Sequence, residues 1–265
     1  MKFQDRSDYY LTIAENDIIG RMQHLLRQEG YFLSEENGRI TADLNPSWET
    51  PWHHVGDSSQ IDCYTWHTII FNTLGFIPFG CLKCFKVVVR PKTLKQLFAL
   101  LDLQLEMGHP SKCGIEVRET VRGLYGGYFY NRSLDEAIEC FKKVKARMAE
   151  DPILRDLLDA KDENGISKKV ILKRGCTEFE MKFGRSDQWR TTEENMKLES
   201  LVDQYITKKG PMKQTDIMIL NLHGRWIRFA WEHDDPTVDE FTGGIPLHPP
   251  VVTYHHVIEI EKEQQ

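Results

Sequence analysis

The order of elements in this chain predicts an α+β fold with a ferredoxin-like (βαββαβ) core, and three observations carry that expectation. From Phe85 onward the hydrophobic pattern reads strand, helix, strand, strand, helix, strand, which is the split βαβ order. Both helices of that run have explicit start signals: Pro91 ahead of a leucine-rich stretch, and Ser133-Leu134-Asp135-Glu136, a capping box. The closing strand, Lys-Val-Ile-Leu-Lys-Arg at 169–174, runs straight into Gly175-Cys176.

Taken in order, Ser7 or Asp8 can cap a first helix whose apolar positions, Leu11, Ala14, Ile18, Met22 and Leu25, follow helical spacing up to Gly30. Strands at 31–33 and 39–44 flank Asn37-Gly38, the strongest short hairpin signal. Residues 45–60 read as a loop rich in Pro, Trp and His, and 61–74 as a helix with Cys63, Trp66, His67, Ile70 and Leu74 in step. The core follows: a strand at 86–90, a helix at 93–107, a strand at 114–121, an aromatic strand at 125–131, a helix from the capping box to about 148, a short helix at 151–160, and the strand 169–174. Phe179, Met181 and Phe183 alternate beyond it. A helix is expected at 192–206, a second hairpin from strands 217–222 and 225–231 about His223-Gly224, and a last strand-like run at 251–260. The organisation is therefore a helix and hairpin cap (1–80), a cysteine-bearing core (81–183) and a C-terminal helix and strand extension (184–265), all in one compact unit.

With 265 residues, 40% hydrophobic and 28% charged, the chain has the composition of a soluble globular protein. Lys2, Asp5, Arg6 and Asp8 stand where a signal peptide needs an apolar run, and the most apolar window, 68–82, is too short for a bilayer and holds Asn72 and Pro78. No membrane partner and a cytoplasmic location are expected, so the six cysteines should be reduced. The net charge of −6 argues against non-specific coating of nucleic acid, yet residues 80–145 hold twelve Lys/Arg against seven Asp/Glu. A basic middle suits a small anionic substrate, with Arg118, Arg122, Arg132 and Arg174 as candidate contacts.

The candidate centre is Gly80-Cys81-Leu82-Lys83-Cys84-Phe85-Lys86, a turn presenting two thiols to one point, as a soft metal requires. In a ferredoxin-like sheet the start of the first strand meets the end of the last, which brings Cys81 and Cys84 beside Cys176. Cys113 is the fourth candidate, but its strand starts at the opposite end, roughly 15 to 20 Å away. It would join Cys81 and Cys84 if its strand ran parallel beside the first, and Cys176 would then drop out. Four thiolates suit a 4Fe-4S iron-sulfur cluster or zinc, and one Cys pair with two distant single cysteines suits the cluster better. Lys83, Lys86, Lys173 and Arg174 would offset thiolate charge. Cys63 and Cys140 are expected as buried helix residues. His53, His54, Cys63 and His67 are weighed as a second metal group and read instead as packing residues.

The expected function is thus an iron-sulfur or other thiolate-metal protein acting on a small anion. A zinc-stabilised interaction module or an RNA-binding module, and a Cys-x-x-Cys thiol oxidoreductase, are the alternatives. For RNA, Tyr125, Tyr128, Phe129 and Tyr130 could stack on bases, although they alternate imperfectly for an exposed platform.

Overall fold

The computed structural model describes residues 20–24, 26–27, 31–42, 50–56, 63–159, 168–206 and 214–248, together with 251 and 254. Of the first expected helix only 20–24 and 26–27 fall within these residues, the former helical and the latter a turn; the expected strand at 251–260 lies outside them except for Val251 and Tyr254.

Strands β1 (Tyr31–Leu33) and β2 (Ile40–Ala42) pair antiparallel about the Asn-Gly turn, as their sequence requires. Strand β3 (Trp52–Val55) follows where a loop was expected. Its run Trp-His-His-Val is too short to show alternation alone, and only pairing with a later strand fixes it. Helix α1 (Tyr64–Leu74) is wound as a π-helix and ends at Gly75, whose φ of 87° and backbone N–H close the last carbonyls. A turn of helix α2 (Phe79–Leu82) carries Cys81 into strand β4 (Phe85–Val89).

Helix α3 (Leu94–Met107) starts where the Thr93 hydroxyl accepts from Gln96 N–H and buries Leu94, Leu97, Leu100, Leu101 and Gln104 along one stripe. Strand β5 (Ser111–Ile115) shares only Gly114 and Ile115 with its expected span of 114–121, since residues 116–121 leave the sheet, whereas β6 (Tyr125–Asn131) matches its expected span. The Ser133 cap opens α4 (Leu134–Glu150). The expected short helix at 151–160 reduces to a 3₁₀ turn at Arg155–Leu157. Strand β7 (Val170–Arg174) follows.

Two expectations fail after β7. Phe179, Met181 and Phe183 lie on helix α5 (Thr177–Phe183), where Phe179 and Phe183 are buried one turn apart and Met181 is exposed. After α6 (Glu193–Tyr205), capped by Thr192, the expected second hairpin is instead a single helix, α7 (Asp216–Glu232). Thr215 caps it, and Met218, Leu222, Trp226 and Ala230 form a buried i, i+4 stripe, with Gly224, the expected turn, on the exposed side of the helix. β-branched and aromatic content suggested strands there, and packing of the stripe overrode it. A last turn, α8 (Asp239–Thr242), ends at Gly243.

The molecule is a mixed α+β protein with a five-stranded antiparallel sheet in the order β3-β5-β6-β4-β7 and a separate two-stranded sheet. Helices α3, α4 and α7 cover one face of the larger sheet. Val87, Val89, Cys113, Ile115, Tyr125 and Phe129 point into the core between them, joined by Leu100, Val144 and Trp226. Segments α1, α2 and α5 pack together through Phe71, Cys81, Phe179 and Phe183. The hairpin rests on α1 and α6 through Ile40, Ile70, Leu74 and Val202. Among the described residues no helix is long and apolar enough to cross a membrane.

Candidate functional site

Successive strand residues face opposite sides of a sheet, so the pairing register decides which side chains share the face away from α3 and α4. Lys112 lies opposite Tyr128 and Lys86 opposite Tyr130. Cys84, Val88, Tyr128 and Tyr130 cluster on that face with Trp52 and Ile171. A cavity of about 510 Å³ opens over it, lined by Trp52, Cys63, Trp66, His67, Cys81, Lys86, Lys112, Arg118, Tyr128, Tyr130, Cys176 and Glu178, among others. This is within the size range of small-molecule sites.

Of the four cysteines singled out by sequence, Cys81 and Cys176 line the cavity, and Cys84 lies on the neighbouring turn in the cluster with Val88, Tyr128 and Tyr130. Strands β4 and β7 pair with Phe85 opposite Arg174, and the Gly175 N–H donates to the Cys84 carbonyl at 2.8 Å, so the turn before β4 touches the turn after β7. Gly175 makes that junction with φ of 61°, and a Cβ there would lie 2.5 Å from the Trp189 ring. Cys176 packs against the cluster that contains Cys81, and Lys86 Nζ donates to Cys176 Sγ at 3.1 Å. Burial pushes the Cys81 thiol well up, with Cys176, Cys84 and Cys63 adding to the rise. Cys84 is pushed up to about 11, chiefly by burial. For Lys86, burial works downward, but Cys176 and Cys84 hold the ammonium well above its ordinary value.

Cys113 stands apart. It is fully buried on the other face of β5 among the residues that pack on α3, and burial pushes its thiol far up. Strands β4 and β5 each pair antiparallel with β6, so they run the same way and β5 does not start at the opposite end as expected. But β6 lies between them, and Cys113 sits opposite Gly127, level with Val89 at the end of β4 far from Cys84, so Cys113 does not join Cys81 and Cys84. Cys63, at the N-terminal end of α1, is exposed rather than buried as expected, and it lines the cavity with Cys81 and Cys176. Spacing alone did not single out Cys63, although Cys63 and His67 one turn apart do present two ligand-type side chains on one helix face. Cys140 is buried in α4, as expected. Among the described residues no three His, Cys, Asp or Glu side chains are gathered as a ready-made ion cage.

Of the four arginines expected to meet an anion, only Arg118 lines the cavity. It donates to both oxygens of Glu116, at 2.8 and 2.6 Å, to the Tyr128 hydroxyl at 2.8 Å and to Glu178 at 3.5 Å. The Glu116 side chain has no exposure, and although burial works upward on its carboxyl, the hydrogen bonds from Arg118 and Tyr128 hold it below its ordinary value. Arg122 and Arg132 are exposed. Arg174 is directed elsewhere, donating to the Leu82 and Ser186 carbonyls and so clamping the turns around β7.

The cation that sequence reasoning missed is Lys112. Its Nζ lies 4.4 Å from the centre of the Trp52 ring and 5.9 Å from that of Tyr128, and no carboxylate or hydroxyl among the described residues bonds it. Burial brings its ammonium down to about 8, with Cys63 opposing and Arg118 and Lys86 adding to the fall. Nearby, the second carboxylate oxygen of Glu178 is buried and accepts no hydrogen bond. The alternation of β5 about Cys113 would have placed Lys112 on the cavity face had its pairing partners been known.

The four aromatics considered for base stacking are all buried: Tyr125 and Phe129 under the helices, Tyr128 and Tyr130 at the base of the cavity. Nor do the histidines form one group. His53 bonds His223 on α7 at 3.0 Å on the helix-covered side, while His67 stacks on Phe179 beside the cavity.

Fold and site together define an α+β protein with a cationic, thiol-lined cavity on the sheet face opposite its main helical layer. No family model, no curated protein and no solved structure matches this chain.

Proposed function

We propose that this chain is a ferredoxin-like protein that holds an iron-sulfur cluster, or a related thiolate-bound metal, at Cys81, Cys84 and Cys176 with Cys63 as the fourth thiolate, and acts on a small anion in the cavity that Cys63, Cys81 and Cys176 line. The ferredoxin-like reading is supported by the four strands β4 to β7, which follow one another as strand, helix, strand, strand, helix, strand and stand in the order β5-β6-β4-β7. The observation that supports the site is the contact, across the β4–β7 junction, between the turn that carries Cys81 and Cys84 and the turn that carries Cys176, with Cys63, Cys81 and Cys176 lining one cavity.

Ligands arriving from separate elements suit a cluster built inside a fold, whereas structural zinc sites usually draw on close Cys or His pairs. A bound metal takes the place of the thiol protons, so thiols that burial keeps protonated become thiolates on binding, and Lys86 beside Cys176 offsets part of their charge. Four thiolates favour electron transfer or a structural role; three, with Cys63 exchangeable, leave a position at which the metal can polarise a substrate. A dithiol oxidoreductase fits less well, because an attacking thiol needs a depressed pKa and burial drives Cys81 and Cys84 the other way.

Purification without oxygen, followed by iron, sulfide and zinc analysis and a visible spectrum, tests this. Iron and acid-labile sulfide with broad visible absorption are expected, lost in Cys81→Ser, Cys84→Ser and Cys176→Ser and kept in Cys113→Ser. Stoichiometric zinc without iron would overturn the cluster and favour a zinc-stabilised module.

A further inference from the structure

We infer that the cavity takes a small, flat monocarboxylate, an aromatic or conjugated acid, whose carboxylate pairs with Lys112. The inference deepens the small-anion half of the function proposed above and does not depend on the cluster half.

Charge balance around the cavity limits the ligand to about one negative charge. Three cations line it, but Arg118 is already bonded to Glu116 and Glu178, and Lys86 directs its ammonium at Cys176. Lys112 alone among them has no hydrogen-bonded or ion-paired partner among the described residues. Its contacts are the faces of Trp52 and Tyr128, which stabilise a cation weakly compared with a carboxylate. A half-buried ammonium that faces aromatic rings, with Arg118 and Lys86 as further cations nearby, lacks a counter-charge that a bound carboxylate would supply. A phosphate dianion would bring one charge too many next to Glu116, Glu178 and the thiols.

The walls specify the rest of the molecule. Trp52, Trp66, His67, Tyr128, Tyr130 and Phe179 all line the cavity. Trp52 and Tyr128 meet edge to face at 5.6 Å, and His67 lies nearly parallel to Phe179 at 5.6 Å, so the lining is rigid and ring-rich. Such walls favour a flat π-system over a saturated one of the same size. The volume of about 510 Å³ leaves room for a two-ring acid.

The test titrates the full chain with 2-naphthoate, 2-naphthamide and cyclohexanecarboxylate, following tryptophan fluorescence and ligand-observed NMR, before and after metal removal. Saturable binding of 2-naphthoate is expected, with the uncharged amide and the saturated acid each at least ten-fold weaker. Lys112→Met should weaken 2-naphthoate at least ten-fold, and Lys112→Arg should keep most of the affinity; circular dichroism of both variants checks their folding. Equal binding of acid and amide, unchanged affinity in folded Lys112→Met, or no binding of 2-naphthoate would overturn the inference. Binding that persists in metal-free protein, or in protein that never carries iron, supports it even where the cluster reading has failed.

Discussion

Lowering the pH from 7.5 to 5 should destabilise this protein, and His53 sets a definite share of the loss. The residue sits on β3 with 6% exposure, its Nδ1 3.0 Å from His223 Nε2 and its ring packed near Trp226. Burial, reinforced by His223, lowers its pKa from 6.5 to about 4. A depressed folded-state value means that the unfolded chain takes up the proton first. Stability is therefore intact above the unfolded value of 6.5 and falls as pH drops from there toward 4. At 1.36 kcal/mol per pKa unit the full linkage for the 6.5 to 4 shift is about 3 kcal/mol, of which about 2 kcal/mol is lost by pH 5. His54, also held at about 4 by burial with Lys112 and His53 adding to it, contributes in the same direction. Urea unfolding at intervals from pH 7.5 to 5, in wild type and in His53→Gln, isolates the residue: the variant should lose about 2 kcal/mol less than wild type across that window. A side-chain NMR titration supplies the second readout, with the His53 ring staying neutral well below pH 6. A His53 ring that titrates at its ordinary value, or identical pH slopes in the two proteins, would refute the reasoning.

Three further outcomes are expected. Asp235 is buried and accepts from the Leu94 N–H at the start of α3, from the Tyr125 hydroxyl and from Thr237; Asp235→Ala should cost about 3 kcal/mol in urea unfolding, because several buried donors lose their acceptor at once. At Gly127 a Cβ would lie 2.3 Å from Leu100 Cδ2, so Gly127→Ala should destabilise by about 1–3 kcal/mol, and the smaller side chain in Leu100→Ala should remove the incremental penalty in a double-mutant cycle. Cys113→Ala should cost about 1 kcal/mol of stability through lost core packing while leaving metal content unchanged; loss of iron in a folded Cys113→Ala protein would return that residue to the ligand set.

The sequence determined those elements whose signals are local. A capping box at Ser133, Pro91 before a leucine-rich stretch and an Asn-Gly turn each act over a few residues, and α4, α3 and the β1–β2 hairpin stand where they were expected. Strand β3 has no such signal, since Trp-His-His-Val becomes a strand only when β5 offers its edge. For α7, β-branched and aromatic side chains suggested strands, and the deciding interaction was burial of Trp226 and its neighbours against the sheet.

The same division holds at the site. Cys81, Cys84 and Cys176 could be brought together on paper because antiparallel neighbours fix where strand ends meet. Which face of β5 carries Lys112 and which carries Cys113, and that Cys63 reaches the cavity from α1, depended on register and on packing between elements far apart in the chain. Short-range chemistry writes helices and turns into the sequence, but a period of two residues leaves each strand free to turn either face inward until its partners choose.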